Sequence, residues 1–163
     1  MGDYRDLIFY QKAREVVKGI NDLIKTWPKT MQAQEISRQV FRSAMSIGAN
    51  IAEGHGRHAG SEYIHYLIIA QGSANETDHW LHTIIEIGLG PKEGIENLIH
   101  QNNEVRRMLT SSIQTLRSKQ TNRNTREEAT PYIAEIQPNF EDVKKSRERR
   151  HGERMRSHSE PIR

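Results

Sequence analysis

Apolar residues along the first 119 positions recur every three or four places, which is the spacing of an amphipathic helix. Leu7, Tyr10, Ala13 and Val17 show this spacing at the start of the chain. No stretch alternates apolar and polar residues in the way that a half-buried strand does. The pattern therefore predicts four helices, which cover about residues 6–26, 31–53, 61–89 and 91–119.

Residues that break or cap helices separate these four segments. Pro28 ends the first, because the residue before a proline avoids the helical backbone conformation. Gly54 is predicted to form a left-handed cap at the end of the second helix, and Ser61 to cap the start of the third. Pro91 suits the first position of the fourth helix. Gly48 lies inside the second helix, where glycine indicates either a kink or the close approach of another backbone.

The short connections between the segments predict an all-α protein, an antiparallel up-down four-helix bundle over residues 1–119. The composition then changes, since 9 of the 44 residues from 120 onward are apolar, against 47 of the first 119. Such a segment buries too little apolar surface to offset the entropy lost on ordering. We therefore predict that residues 120–163 form a mostly disordered C-terminal tail.

The third predicted helix carries more apolar surface than one face of a small bundle needs. Its main stripe consists of Tyr63, Tyr66, Leu67, Ala70, Ala74, Leu81 and Ile84. A second set extends around the helix and consists of Ile64, Ile68, Ile69, Trp80 and Ile85. The surplus favours self-association, and the alternative is that it contacts the first and fourth helices of the same chain.

The segment 46–63 holds four glycines and two histidines, which suggest a phosphate loop or a metal site. Gly54-His55-Gly56 lacks the third glycine and the Lys-Ser/Thr pair of such loops, and it follows a helix. Glu62 and His65 form one Glu-x-x-His pair, whereas di-iron bundles use two and zinc sites need three or four ligands. The chain has no cysteine and no Gly-x-Ser-x-Gly sequence. We predict no metal site, no cofactor and no catalytic residue, and hence a protein that is not an enzyme.

Polar residues interrupt the apolar faces of the second and third helices. They are Arg42, Ser46, Asn50, Glu53, Arg57, Gln71, Ser73 and Glu76. Because buried polar groups need hydrogen-bond partners, we interpret this set as a structural network that connects the helices. The alternative is a binding role for Arg42, Glu53 or Arg57.

The same residues carry a resemblance to a known family. The matching positions are Asp6-Leu7, Tyr10 to Ala13, Arg42 to Gly54 with its Asn-Ile-Ala-Glu-Gly ending, Arg57, Tyr63, Tyr66-Leu67, Ile69-Ala70, Gly72-Ser73 and Glu76. Over about residues 4–90 the chain resembles the four-helix bundle family that includes the proteins encoded in 23S ribosomal RNA intervening sequences of bacteria. It departs from the family pattern at residues 31–36 and after residue 119.

The resemblance implies an up-down bundle that forms homopentamers around a central channel. It implies no enzymatic role, and it suggests association with ribosomes or RNA. A related bundle family serves as the accessory subunit of reverse transcriptases in diversity-generating retroelements, which suggests an alternative role.

The distribution of charge along the chain leads to two hypotheses about its binding partners. Residues 144–163 carry a net charge of +5, whereas residues 1–119 are almost neutral. The bases predicted to contact nucleic acid are Lys144, Lys145, Arg147, Arg149, Arg150, Arg154 and Arg156. One hypothesis is a homo-oligomer bound to RNA or ribosomes through this tail. The other is a scaffold that presents His55, Arg57 and His58 to a protein client.

The expected location is the cytoplasm. The N-terminus has no apolar region of the secretory type, no apolar run is long enough to cross a membrane, and the chain has no cysteine. We therefore expect no membrane partner.

Overall fold

A computed structural model describes residues 2–57 and 60–136, and their side chains as far as residue 123. The chain divides into two units, and the four-helix bundle lies in the first, Met1–Gln120. A 3₁₀ turn at Tyr4–Asp6 precedes four helices: α1 (Ile8–Lys25), α2 (Met31–Gly56), α3 (Gly60–Glu86) and α4 (Lys92–Ile136). The all-α four-helix bundle is therefore confirmed, with short connections between antiparallel neighbours and no strand in the described residues.

Local chemistry explains two of the helix ends. The Thr30 hydroxyl accepts a hydrogen bond from the Ala33 backbone N–H at 3.2 Å, which caps the start of α2. At the end of α3, Gly88 adopts a positive φ of 68°. The backbone N–H groups of Leu89 and Gly88 donate to the carbonyl oxygens of Ile84 and Ile85, which is a Schellman arrangement. This glycine therefore ends the third helix before the start of the fourth.

Gly54 does not form the predicted left-handed cap. α2 continues through it to Gly56, and the positive-φ residues in the described chain are Gly88 and Gly90. Gly54 is instead buried where α2 meets α3, and a Cβ added to it would lie 2.7 Å from Cβ of Tyr66. The glycine is needed for close packing rather than for a turn.

Two other sequence-based expectations also change. α3 begins at Gly60, so that Ser61 lies inside its first turn instead of capping it. Gly48 faces the ring of Tyr10 on α1 and not a backbone, and an added Cβ would lie 3.4 Å from that ring, which is an ordinary van der Waals contact, so no close approach requires glycine here.

α4 differs from the prediction at its C-terminal end. α4 continues to Ile136, whereas the sequence predicted that the fourth helix ends at about residue 119, before a mostly disordered tail. Extending a helix that packing has already nucleated costs little, and the segment from 120 to 130 has neither glycine nor proline. Residues 137–163 lie outside the described residues.

The core of the bundle is formed by one face of each helix. It includes Val16 and Ile20 of α1, Val40 and Ile47 of α2, Leu67 and Leu81 of α3, and Val105 and Leu109 of α4, all fully buried. No helix in the described part of the chain combines the length and apolar character that crossing a membrane requires.

Asn102 of α4 is a fully buried polar residue within this core. Its Nδ2 donates to the Ala74 carbonyl oxygen of α3 at 2.8 Å, while its Oδ1 has no partner among the described residues. An unsatisfied buried acceptor costs about 1–3 kcal/mol.

We expect Asn102→Leu to raise the free energy of unfolding by about 1 kcal/mol, because it replaces an unsatisfied polar group with apolar volume. Asn102→Asp should lower it, since the change buries a carboxylate. Urea unfolding at one fixed protein concentration measures both. If Asn102→Leu were as destabilising as Asn102→Asp, the amide would be contributing more than one hydrogen bond.

Candidate functional site

A chain of hydroxyl and amide groups crosses the contact between α2 and α3. Ser73 Oγ lies 3.0 Å from Ser46 Oγ, and Thr77 Oγ1 lies 3.0 Å from Ser43 Oγ. Asn50 Nδ2 donates to the carbonyl oxygen of Ser46 at 2.8 Å and lies 3.1 Å from its hydroxyl. We call these five residues the α2–α3 polar seam.

The seam contains three of the residues that the sequence singled out, Ser46, Asn50 and Ser73. It also contains Ser43 and Thr77, which the sequence analysis missed. A signal for them existed, since Ser43 precedes Ser46 by three positions and Thr77 follows Ser73 by four, so that each pair shares a helix face. Short hydroxyl side chains bonded across a tight interface fix the register of the two helices, which is a structural task.

Glu53 and Arg57 form a second, separate pair at the end of α2. Arg57 Nε and Nη2 donate to Glu53 Oε1 at 3.1 and 2.5 Å, within a single helical turn. The hydrogen bond with Glu53 raises the pKa of Arg57. The guanidinium carbon also lies 5.7 Å from the ring centre of Tyr66, so Arg57 reaches α3 by a cation–π contact.

The remaining predicted members do not join the seam. Arg42 and Glu76 are exposed and form no hydrogen bond or ion pair with any described residue. Gln71 faces α4, where its Nε2 donates to Thr110 Oγ1 at 2.6 Å. The predicted tail bases, from Lys144 to Arg156, lie outside the described residues.

Aromatic rings connect the N-terminal segment to α2 and α3 at one end of the bundle. Tyr4 contacts Tyr10 edge to face at a centroid distance of 5.0 Å, and His55 lies between Tyr4 and Tyr63 at 6.3 and 6.4 Å. Burial raises the pKa of the Tyr63 phenol. His55 is therefore half-buried in a packing contact, while His58, the other histidine assigned to a client surface, lies outside the described residues.

The surplus apolar side chains of α3 divide into two groups. Ile64 is buried and Trp80 and Ile85 pack partly against the core, as the alternative of contacts within the chain requires. Ile68 and Ile69 remain exposed at 38% and 39%.

Gly72 lies four positions after Ile68 and three after Ile69, and hence between them on the helix surface. No atom lies within 4 Å of a Cβ added to Gly72. We call Ile68, Ile69 and Gly72 the α3 outer face. Two large apolar side chains around a glycine form a surface that a second helix can approach closely.

Metal chemistry receives no support from the arrangement of side chains. Among the described residues, no three His, Asp or Glu side chains converge in a way that could hold a metal ion. Asp78 lies 3.5 Å from Arg106 and 3.9 Å from His82, and an arginine is not a metal ligand.

Comparison with known proteins shows which family the chain belongs to. A family model described as 23S rRNA-intervening sequence protein matches residues 5–111. The fold is also similar to a solved structure from Bacteroides thetaiotaomicron VPI-5482, described as a protein with unknown function from the S23 ribosomal protein family. The two chains are 31% identical with a TM-score of 0.58, and the match covers 65% of this chain and 98% of that one. No curated protein matches the chain.

Proposed function

Because the chain belongs to the family of 23S rRNA-intervening sequence proteins, we propose that it acts, without catalysis, as a homo-oligomeric bundle that associates with RNA or ribosomes. The family resemblance supports a pentamer as the assembly. A cytoplasmic location is part of the proposal, since ribosomal RNA is found there.

The α3 outer face is the observation that carries the assembly part of the proposal. Ile68 and Ile69 lie in the middle of a 27-residue helix, away from its ends, and expose more than a third of their surface. Burying apolar surface contributes about 25 cal/mol per Å², and a contact between copies repeats this gain at every interface. The glycine between the isoleucines lowers the steric barrier to that contact.

The basic C-terminal segment supports the RNA part of the proposal. Residues 144–163 hold eight lysines and arginines against three acidic residues. Such a segment binds phosphates by releasing counterions, with little dependence on base sequence. Several copies in one assembly would bind one RNA multivalently, which raises the overall affinity without any new contact.

The absorbance ratio at 260 and 280 nm of the full-length protein tests this proposal. We expect bound nucleic acid after purification at low salt, its loss at high salt or after ribonuclease treatment, and a lower ratio for a variant with five tail bases changed to glutamine. These changes are at Lys144, Lys145, Arg147, Arg149 and Arg150. A wild-type protein free of nucleic acid at low salt that retains a nuclease-resistant protein partner would contradict the proposal and favour the scaffold alternative.

A further inference from the structure

A polar groove of about 720 Å³ runs between α3 and α4 within the first unit. The residues that line this groove belong neither to the α2–α3 polar seam nor to the α3 outer face. The residues that carry its chemistry are Gln71 and Asn75 of α3, and His100, Arg107, Ser111 and Gln114 of α4. The α4 members follow one another at intervals of three, four or seven, so they lie along one side of that helix.

The charged side chains that line the groove are basic. No carboxylate lines it, while two guanidinium groups do, Arg106 and Arg107. Arg106 has one acidic neighbour, Asp78, at 3.5 Å. Arg107 is exposed and forms no ion pair or hydrogen bond with any described residue, whereas Arg38 and Arg57 are paired with a glutamate on their own helix. The groove therefore offers an available positive charge in a folded body that is almost neutral overall.

Hydrogen bonds hold the groove in shape before any ligand arrives. Arg106 Nε donates to Asn75 Oδ1 at 2.8 Å, and its Nη1 donates to Asn103 Oδ1 at 2.7 Å. Gln71 Nε2 donates to Thr110 Oγ1 at 2.6 Å, also between α3 and α4. Gln71 is therefore ordered before any ligand binds, and binding to an ordered side chain loses less conformational entropy.

This combination of groups fits an RNA strand. Guanidinium groups bind phosphate oxygens, and amides and hydroxyls can both donate to and accept from ribose 2′-hydroxyls and base edges. The carboxylates of an acidic protein segment only accept hydrogen bonds, so they would pair with the donors of the groove and leave its amide and hydroxyl oxygens to the peptide backbone. We propose that the α3–α4 groove is an RNA-binding site, with Arg107 bound to phosphate and Gln71, Ser111 and Gln114 bound to ribose or base groups.

The inference rests on the proposed function in taking RNA as the partner, but the site is distinct from the tail. In this proposal the basic tail attracts an RNA by its charge, and the α3–α4 groove of the same chain fixes the position of that RNA. The two contributions separate experimentally because Arg107 and the tail bases can be changed independently.

Fluorescence anisotropy with a short unstructured RNA tests the groove in the full-length protein. We expect Arg107→Glu to weaken binding about tenfold and to reduce its salt dependence, because a phosphate contact is lost. The matched control is Arg14→Glu on α1, which makes the same charge change at an arginine that is also exposed and unpaired among the described residues but lies outside the groove. Ser111→Glu provides a second variant that places a negative charge inside the groove and should weaken binding as well.

The outcomes distinguish the groove from the tail. If Arg107→Glu and Ser111→Glu bind RNA as Arg14→Glu does, the groove inference is overturned whatever the glutamine variant of the tail shows. If both groove variants weaken RNA binding and the tail variant does not, RNA binding by the groove is supported and RNA binding by the tail bases is contradicted. If polyglutamate displaces the labelled RNA from the glutamine variant of the tail as effectively as unlabelled RNA does, the groove is a site for acidic chains and the RNA assignment is overturned.

Discussion

Gly54→Val is expected to lower the free energy of unfolding by about 3 kcal/mol, at the upper end of the usual cost of overpacking a core. An added Cβ would lie 2.7 Å from Cβ of Tyr66 and 3.1 Å from the Tyr63 ring. Neither atom is the free end of a flexible side chain, so α3 itself would have to move away from α2. That movement would open space around Ile51 and Leu67, which are fully buried.

The matched control is Gly56→Ala, two residues further along α2. No described atom lies within 4 Å of a Cβ added there, and alanine in a helix is more stable than glycine by about 0.5–1 kcal/mol. Thermal or urea unfolding should be measured at one protein concentration, because any self-association contributes to apparent stability. Equal effects of the two substitutions would show that Gly54 is not a contact point between the helices.

The double substitution Ile68→Glu with Ile69→Glu is expected to convert the proposed homo-oligomer into single chains. Both side chains are exposed in the isolated bundle, so the fold should be retained and the helical content unchanged. At an interface, the same changes would bury two unpaired carboxylates in every subunit, which costs far more than an interface of ordinary size can offset. Sedimentation velocity at micromolar concentration measures the change.

The control for this variant is Met31→Glu with Ile87→Glu. These residues are also exposed, at 86% and 43%, and lie near the connections at one end of the bundle. They introduce the same charges without touching the α3 outer face. An assembly that survives the α3 substitutions and dissociates with the control would place the interface elsewhere.

The fold was predictable because apolar spacing reports which side of a helix is buried. Leu67, Ala70, Leu81 and Ile84 followed this rule in the third helix. Glycine was harder to interpret, because the same residue type serves both turns and close contacts. Gly88 adopts a positive φ, while Gly54 is helical and lies against Tyr66, and nothing local in the sequence separates the two cases.

The extent of the fourth helix was underestimated for a related reason. The prediction of disorder rested on how much apolar surface a segment can bury, and the residues after 119 have few apolar side chains. Once packing has formed the helix as far as Ile113, each further residue up to Thr130 can add a backbone hydrogen bond without a new nucleation cost. Pro131 has no backbone N–H and adds none.

The polar positions were predicted less completely than the core. Ser46 and Ser73 do meet across α2 and α3, and Asn50 bonds to Ser46 on its own helix. Arg42 and Glu76 are instead exposed to solvent. The α3–α4 groove was missed entirely. Its members are scattered over two helices, and only the packing of α3 on α4 brings Asn75 to Arg106.

The solution mass of the wild-type protein tests the central claim most directly. Light scattering coupled to size exclusion at micromolar concentration should give a multiple of the 18.9 kDa chain, and five copies is the expected number. A stable species with the mass of one chain, folded and helical at that concentration, would contradict the account.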